Sequence, residues 1–254
     1  MPHFLRFAAA SASRRIRARN AAMAFTTVMG CVVGTPAAKS AGTAYNVDTA
    51  EVGDPGNCKV EAWTSWARNS DGLATAIPSC IVDTFTPTEL SLQTIRARAD
   101  NEWSTSMTPL AKFKLVPTAI GSIGFSIATG ATYNLTAQEA TSVFAYIPAT
   151  LRLSETVRIN VNAGWLQDRT VDKHYTTYGL GLDWRFTDTL TLTLETFGQA
   201  GSPETPSAVR PRFQGGVRYR PVDRFSVDFI YGRNINGENS DWFTVSTAIR
   251  FPPK

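Results

Sequence analysis

The sequence predicts an all-β protein, a closed antiparallel transmembrane β-barrel with up-and-down hairpin topology. Three observations lead to this prediction. Apolar and polar residues alternate through most of the chain after residue 57, aromatic residues lie near both ends of the alternating stretches, and short turns recur between them. Alternation with a period of two is typical of a strand with one apolar and one polar face. No long stretch follows the 3.6-residue period of an amphipathic helix, which excludes a helical bundle.

Residues 1–41 are predicted to be a secretory signal peptide. The basic stretch RRIRAR (14–19) is followed by the apolar run AAMAFTTVMGCVVG (21–34), which is too short to cross a bilayer, and small residues suited to cleavage follow at 35–42. A disordered basic leader and a lipid anchor on Cys31 are the alternatives. Residues 42–57 are predicted to be a flexible lead-in without regular structure.

The charge distribution argues against a nucleic-acid partner. The formal net charge is +4, but residues 1–41 hold six basic residues and no acid, so the remainder carries 19 basic and 21 acidic residues. A nucleic-acid-binding domain would need a basic face of its own. The sequence also contains no cluster of metal-ligating residues and no glycine-rich phosphate loop, so no cofactor or metal is expected.

The barrel is predicted to occupy residues 58–251, with a tail at 252–254. The alternation gives about twelve strands, an even number as bacterial barrels require. Ten strands are the alternative, if the first hairpin lies outside the membrane. The predicted strands are 58–67, 73–82, 89–98, 104–116, 120–134, 143–153, 157–165, 178–186, 190–196, 212–221, 225–231 and 241–251.

Cys58 and Cys80 are predicted to form a disulfide. They lie on either side of NSDG (69–72), a sequence suited to a hairpin turn. Two strands folded about this turn would place the cysteines nearly opposite each other, and an oxidising compartment allows the bond. Two buried thiols are the alternative.

The turns in the second half indicate two different ends of a barrel. LSETV (153–157), FTDTL (186–190) and PVDRF (221–225) are short and similar, whereas the connections predicted at 166–177, 198–211 and 232–242 are long. Short turns on one side and long loops on the other are typical of bacterial outer-membrane barrels. No loop is long enough to suggest a large plug.

Aromatic residues on the apolar faces are predicted to form two girdles. Aromatic rings favour the headgroup level of a bilayer, so two girdles around an aliphatic band imply lipid outside. A soluble barrel or sandwich, with its apolar face inward, is the alternative. The girdle near the long loops consists of Trp165, Tyr178, Phe213, Tyr231 and Phe243, and the girdle near the short turns consists of Trp184, Phe186, Tyr219, Phe225 and Phe251.

With a signal peptide, alternating strands and a final strand DWFTVSTAIRF (241–251) that ends on an aromatic residue, the chain resembles small Gram-negative outer-membrane β-barrel proteins. The resemblance covers roughly residues 58–251, and PPK (252–254) departs from it by following the terminal aromatic Phe251. It implies insertion by the barrel-assembly machinery, contact with outer-membrane lipid and location in the outer membrane. It names no substrate.

The polar faces of the strands predict the lining of a lumen. Arginines gather towards the short-turn end, and a ring of arginines in a narrow pore favours anions. The predicted function is a narrow, weakly anion-selective diffusion channel for small solutes. The arginines could instead simply pair with acids. The predicted pore-lining residues are Arg152, Arg158, Arg185, Arg212, Arg218, Arg220, Arg250, Asp183, Glu195 and Asp228.

Two other functions are compatible with the sequence. One is a closed structural or interaction barrel without transport, in which the polar interior pairs with itself. The other is an outer-membrane hydrolase, for which His174 beside Asp172 is the only candidate base outside the signal peptide. A lone histidine in a loop is more often a solvated polar residue, so the protein is not expected to be an enzyme.

Overall fold

The computed structural model of the protein describes residues 44–68, 70–99, 101–201, 210–235 and 241–251. Neighbouring strands pair antiparallel along the chain, and the first pairs with the last, which closes the barrel. Among these residues no helix is long and apolar enough to cross a membrane. The strands are β1 Cys58–Ala67, β2 Gly72–Asp83, β3 Pro87–Ala99, β4 Glu102–Val116, β5 Ile123–Asn134, β6 Glu139–Arg152, β7 Val157–Asp168, β8 Lys173–Arg185, β9 Leu190–Ala200, β10 Arg212–Val222, β11 Phe225–Asn234 and β12 Asp241–Phe251.

The predicted closed, twelve-stranded antiparallel barrel is confirmed. The ten-strand alternative is wrong, because the first hairpin belongs to the wall: β1 pairs with both β2 and β12 along its whole length. Closure is needed because hydrocarbon cannot satisfy the open hydrogen-bonding groups of a sheet edge.

The two ends of the barrel differ less than the sequence suggests. We call the end with connections 84–86, 117–122, 153–156, 186–189 and 223–224 the turn end, and the opposite end the loop end. The long loop predicted at 166–177 is wrong: β7 continues to Asp168 and β8 begins at Lys173. The polar residues Gln167 and His174 are partners in the β7–β8 ladder. Their polarity was therefore not a sign of a loop. The loops predicted at 198–211 and 232–242 shorten at their edges, and most of their remaining residues lie outside the described part.

The outer surface of the wall is apolar. Exposed Val161, Leu180, Val217 and Ile249 point outward, whereas their polar neighbours along the same strands point inward and are buried or half-buried. This is the reverse of a soluble barrel, so the soluble alternative does not describe this molecule. The arrangement fits a barrel surrounded by lipid.

The predicted girdle residues all lie on the outward positions of their strands or next to them. Phe225 is half-buried and the other nine are exposed. Residues of the first half of the chain continue both rows. Trp66, Trp103 and Tyr133 add exposed aromatic rings near the loop end, and Phe125 adds one near the turn end. Large aromatic rings near both ends of the wall are what an interfacial position favours.

Cys58 and Cys80 form a disulfide with an S–S distance of 2.10 Å. The two residues are direct partners in the β1–β2 register. They occupy outward positions at the turn end, where Cys58 also pairs with Phe251 of the last strand. The bond therefore fixes the first hairpin beside the seam that closes the barrel.

Replacement of both cysteines by serine is expected to lower the free energy of unfolding by about 3 kcal/mol, because the closed loop is of moderate length. Urea titration of the protein in detergent micelles, followed by tryptophan fluorescence, measures this change. Alkylation after unfolding without reductant should label neither cysteine in the wild type. Two labelled thiols would contradict the bond in the isolated protein.

A closed barrel is also expected to resist detergent until it is heated. Unboiled protein should therefore migrate differently from boiled protein on a denaturing gel, because each strand of the closed sheet is hydrogen-bonded on both sides. A variant with Pro in place of Val245, in the middle of β12 between β1 and β11, should lose the difference because proline removes a ladder hydrogen bond. Equal migration of boiled and unboiled wild type would argue against a stable closed wall.

Candidate functional site: the lumen and its charged cavity

The segment before the first strand lies inside the barrel. We call residues 44–57 the strap. Tyr45, Val47, Asp48, Ala50 and Val52 of the strap are all buried. As expected for the predicted lead-in at 42–57, residues 44–57 form no helix or strand, but they pack inside the lumen rather than lying outside the barrel. A twelve-stranded barrel is wider than its own wall side chains can fill, and the strap occupies part of that space.

The N-terminal part of the strap is held by a carboxylate of β9. The backbone N–H groups of Asn46 and Val47 donate to the two oxygens of Glu195, at 2.5 and 3.0 Å. Gln214 of β10 also donates to Glu195, at 2.7 Å, and its amide group lies 3.3 Å from the carbonyl of Ala44. Glu195 was predicted to line a pore. It lies in the lumen but binds the backbone of the strap.

The middle of the strap is held by an ion pair to β4. Lys112 Nζ lies 2.9 Å from a carboxylate oxygen of Asp48 and 2.6 Å from the carbonyl oxygen of Thr49. The Tyr146 hydroxyl donates to the other oxygen of Asp48 at 3.1 Å. The side chains of Lys112, Asp48 and Tyr146 are all buried, and a buried charge left without its partner is strongly destabilising. This contact therefore fixes the depth of the strap in the lumen.

A second ion pair holds the strap to β7. Arg158 donates to Glu51 of the strap at 2.7 Å and to Asp183 of β8 at 2.7 Å. Asp183 is also bonded by Asn160 at 2.8 Å and Thr193 at 2.6 Å. Arg158 thus joins the strap to a polar network of the wall. A hydrogen bond from the N–H of Ala50 to the Thr150 hydroxyl, at 2.7 Å, adds to this attachment.

Small residues of the wall make room for the strap. A Cβ atom at Gly179 would lie 2.8 Å from a methyl carbon of Val47, and one at Gly181 would lie 3.2 Å from the other. A Cβ atom at Gly216 would lie 2.5 Å from the Tyr45 hydroxyl. Gly179, Gly181 and Gly216 all occupy inward positions of their strands. In the structure the strap fills the space beside them.

Tyr45 lies between the strap and the wall of β10. The guanidinium group of Arg218 lies 5.7 Å from the centre of its ring. Burial, together with the nearby negative charge of Asp228, raises the pKa of Tyr45 well above its usual value. The phenol is therefore neutral at physiological pH and contributes no charge to the lumen.

A cavity of about 590 Å³ lies between the strap and the wall towards the turn end. Its lining is polar and carries charges of both signs from strands on all sides of the barrel, with cations slightly in excess. The charged residues of the lining are Lys59, Lys112, Lys114, Arg152, Arg158, Arg218, Arg250, Asp48, Glu51, Glu61, Glu89, Asp183 and Glu195.

Six of the ten predicted pore-lining residues line this cavity: Arg152, Arg158, Arg218, Arg250, Asp183 and Glu195. Asp228 lies behind it and accepts from Arg218 at 2.7 Å. Arg220 lies near the turn end on the same strand as Arg218. Arg185 donates to the carbonyl of Glu155 in a turn, at 3.0 Å. Arg212 lies at the loop end instead, 5.6 Å from the Trp242 ring centre.

Not all cations of the cavity are paired. Arg158 and Arg218 have carboxylate partners, as the pairing alternative expects. In the described part of the chain, no ion pair within 4 Å involves Lys114, Arg152 or Arg250. One terminal nitrogen of Arg250 is buried without a hydrogen-bond partner among these residues. These three side chains form a group of cations without carboxylate partners, which we call the free cations.

Charged residues of the first half of the chain also line the cavity, although they were not among the predicted pore-lining residues. Lys59 lies 3.4 Å from Glu61 of the same strand and 3.1 Å from Glu89 of β3, on the far side of β2. Lys112 was also missed, because the acid that neutralises it lies in the strap. A signal was present: Lys59 and Glu61 share one face of the strand predicted at 58–67. The sequence did not reveal that the strand at 89–98, which is separated from this one by a single strand, brings Glu89 close to Lys59.

One side of the loop half of the lumen, along β4 to β8, is packed with apolar side chains. Leu110, Phe144, Leu166 and Tyr175 point inward from β4, β6, β7 and β8 and are buried, with Leu166 wholly inaccessible. Further buried apolar side chains at inward positions of the remaining wall are Trp63, Phe197 and Ile230. Buried polar side chains also lie at inward positions of the loop half, among them Thr132, Ser142, Asp168 and Gln199. The loop half therefore combines an apolar cluster with polar groups, whereas the charged cavity lies towards the turn end.

His174 does not contribute to the lumen. It belongs to β8 rather than to a loop, and its ring stacks on Trp165 at 5.5 Å between ring centres. Trp165 is an exposed residue of the outer surface. The described residues contain no group of three or more side chains that could hold a metal ion.

Comparison with protein families identifies the group to which the chain is related. The family described as "Uncharacterised conserved protein UCP029691" matches residues 29–251. The chain belongs to this family. Its match covers all twelve strands and the strap, so both are parts of the region that defines UCP029691. No curated protein matches the sequence significantly.

Among solved structures, the chain is similar to bacterial porins and channels. The KdgM porin has a TM-score of 0.61 at 10% identity, with 76% of this chain and 99% of KdgM covered. The COG4313 outer membrane channel from Pseudomonas putida F1 has a TM-score of 0.61 at 10% identity, covering 79% and 97%. The NanC porin has a TM-score of 0.60 at 6% identity, covering 75% and 98%. At these identities the likeness establishes the shared fold.

Proposed function

We propose that this UCP029691 protein is an outer-membrane channel for small solutes with a weak preference for anions, and that its strap-filled lumen is a closed state. The observation that carries the proposal is the group of free cations, Lys114, Arg152 and Arg250, around a charged cavity. Charged side chains that serve only to link neighbouring strands would be expected to form ion pairs. Unpaired cations at a constriction instead attract anions from solution.

The way in which the strap is held supports a removable closure. Its contacts to the wall are two ion pairs, a set of backbone hydrogen bonds and the packing of Tyr45 and Val47 against glycines. Polar contacts of this kind can be exchanged for contacts with water or ions. A permanent core would be expected to rely on large apolar side chains, as the loop half does.

The outer surface of the wall and the N-terminal residues 1–41 support a location in the outer membrane. An apolar outer surface between two aromatic girdles supports contact with outer-membrane lipid, and the signal-like residues 1–41 support export. The barrel-assembly machinery is the proposed partner during insertion, because the last strand ends on the outward aromatic Phe251. Small anions are the proposed solutes.

The proposal is tested by ion selectivity in planar bilayers. The wild type is expected to conduct weakly, with a reversal potential that indicates anions across a salt gradient. The triple variant Lys114→Gln, Arg152→Gln, Arg250→Gln should lose most of this preference, because the acids of the cavity remain. The control is Arg185→Gln, since Arg185 lies at the same end and does not line the cavity. Cation preference in the wild type would contradict the anion path.

A closed structural or interaction barrel is the second candidate function. It is favoured by the packed apolar side chains of the loop half, which leave no evident role for solvent there. Absence of conductance in both the wild type and a variant without the strap would favour this candidate over a channel.

A further inference from the structure

We infer that the lumen wall contains a binding site for a solute with two carboxylates, and that the strap occupies this site with Asp48 and Glu51. The inference rests on the proposed function, because it names the solute class that such a channel would bind. The strap then acts as a ligand that the chain supplies to itself. A dicarboxylate would compete with it and release it.

The wall offers two separate carboxylate sites. Lys112 and Tyr146 bind both oxygens of Asp48, at 2.9 and 3.1 Å. Arg158 binds Glu51 at 2.7 Å and is itself oriented by Asp183. A cation with a hydroxyl donor, and an arginine fixed by a second acid, are arrangements that favour a carboxylate over a neutral group. Both sites belong to the wall and remain when the strap leaves.

The spacing of the two sites suits one small molecule. Asp48 and Glu51 are three residues apart, so their Cα atoms are separated by at most about 10 Å in an extended chain. The adjacent cavity of about 590 Å³ provides room for a solute of similar size before the strap has moved. A solute could therefore approach from the turn end through this cavity.

Charge explains why the exchange would be possible. Lys112 is buried, and its charge must be balanced by an anion in either state. Loss of the strap removes the carboxylates of Asp48 and Glu51 and leaves Lys112 without its observed partner. Arg158 would keep Asp183 and lose Glu51. A dicarboxylate restores the same charge balance, whereas a neutral solute does not.

The test measures release of the strap directly, without conductance. Ala50→Cys places a thiol at a buried strap position, and its reaction with a membrane-impermeant maleimide is followed in detergent micelles. Because Ala50 lines the cavity, the maleimide carries a polyethylene glycol chain that is too large to enter it. The label then reacts only when the strap leaves the lumen, and its rate reports the released population. The probes are adipate, hexanoate and 1,6-hexanediol, which share six carbons and carry two, one and no carboxylates, with sodium chloride at matched ionic strength.

Adipate is expected to accelerate labelling several-fold, hexanoate less, and hexanediol or salt little. Equal acceleration by salt would overturn the site, because it would show general screening of ion pairs. No acceleration by adipate would also overturn it. Thr49→Cys, at a half-buried strap position, repeats the measurement if the Ala50→Cys variant fails to fold.

Matched variants distinguish the effect of the two bound carboxylates from that of any other change in the strap. Asp48→Asn with Glu51→Gln should label rapidly without adipate and gain little from its addition. Asp54→Asn should behave as the wild type, because Asp54 is an exposed acid of the strap that forms no ion pair with the described residues of the wall. Failure of the proposed channel appears as absent conductance, whereas failure of this site appears as labelling that adipate does not change.

Discussion

Deletion of residues 44–52 is expected to raise the single-channel conductance of the barrel by about fivefold or more, because conductance grows with the open cross-section of a pore. The strap lies across the lumen between β9 and β10 on one side and β4, β6 and β7 on the others. Its removal leaves the wall complete, since β1 begins only at Cys58. Planar-bilayer recordings at high salt measure the change.

The full-length variant Asp48→Asn with Glu51→Gln should give a smaller increase, because the chain is retained and only its ion pairs are lost. Its anion preference should exceed that of the wild type, since two negative charges leave the lumen. Heat-dependent gel migration confirms that both barrels have formed. Unchanged conductance in the deletion variant would show that the strap does not limit the passage of ions.

Phe144→Ala is expected to lower the free energy of unfolding by about 3–5 kcal/mol, as large-to-small substitutions in packed cores do. Phe144 points into the loop half, is 3% exposed and stacks on Tyr146 with 6.3 Å between ring centres. Gly130 of β5 lies directly beneath its ring. Because close neighbours surround the ring, the wall can collapse only partly into the space that alanine leaves. Urea titration in micelles measures the loss.

The matched control is Phe243→Ala on the outer surface, where the ring is 43% exposed to the surroundings of the barrel. Its cost should be clearly smaller, because detergent or lipid refills the space. If the two substitutions cost the same small amount, the loop half of the lumen is filled with water rather than packed. That result would also remove the main support for a structural barrel without transport.

The wall of the barrel could be predicted because apolar and polar residues alternate along most of its strands. In VRINVNAGW (157–165), every odd residue faces outward and every even residue faces the lumen. Closure, the girdles and the disulfide follow from that alternation together with the hairpin turns. The strap could not be found in this way, because its backbone forms no ladder and its residues need no period. Its contacts depend on side chains 63 to 170 residues away.

The candidate site was predicted only in part, for a related reason. The inward arginines of the second half were recognised from the polar faces of their strands, but their partners were not. Arg158 has one acid on the neighbouring strand and another in the strap, and only the first can be inferred from strand order. The apolar cluster of the loop half was missed in part because Leu166 and Tyr175 lie in the stretch 166–177, which was predicted to be a loop.

The disulfide gives the strap a fixed pivot. Cys58 is covalently joined to β2. Two backbone hydrogen bonds, from Gly56 to Ile81 and from Ile81 to Asn57, extend this attachment to the last residues of the strap. Residues 44–52 extend from there, and fully stretched they would span about 30 Å. That reach is comparable to the roughly 25 Å height of the apolar band of such barrels. The strap could therefore leave the lumen through the turn end and bind again at the same place. Because it stays attached at Cys58, the distance it can move away is limited by the length of its own chain.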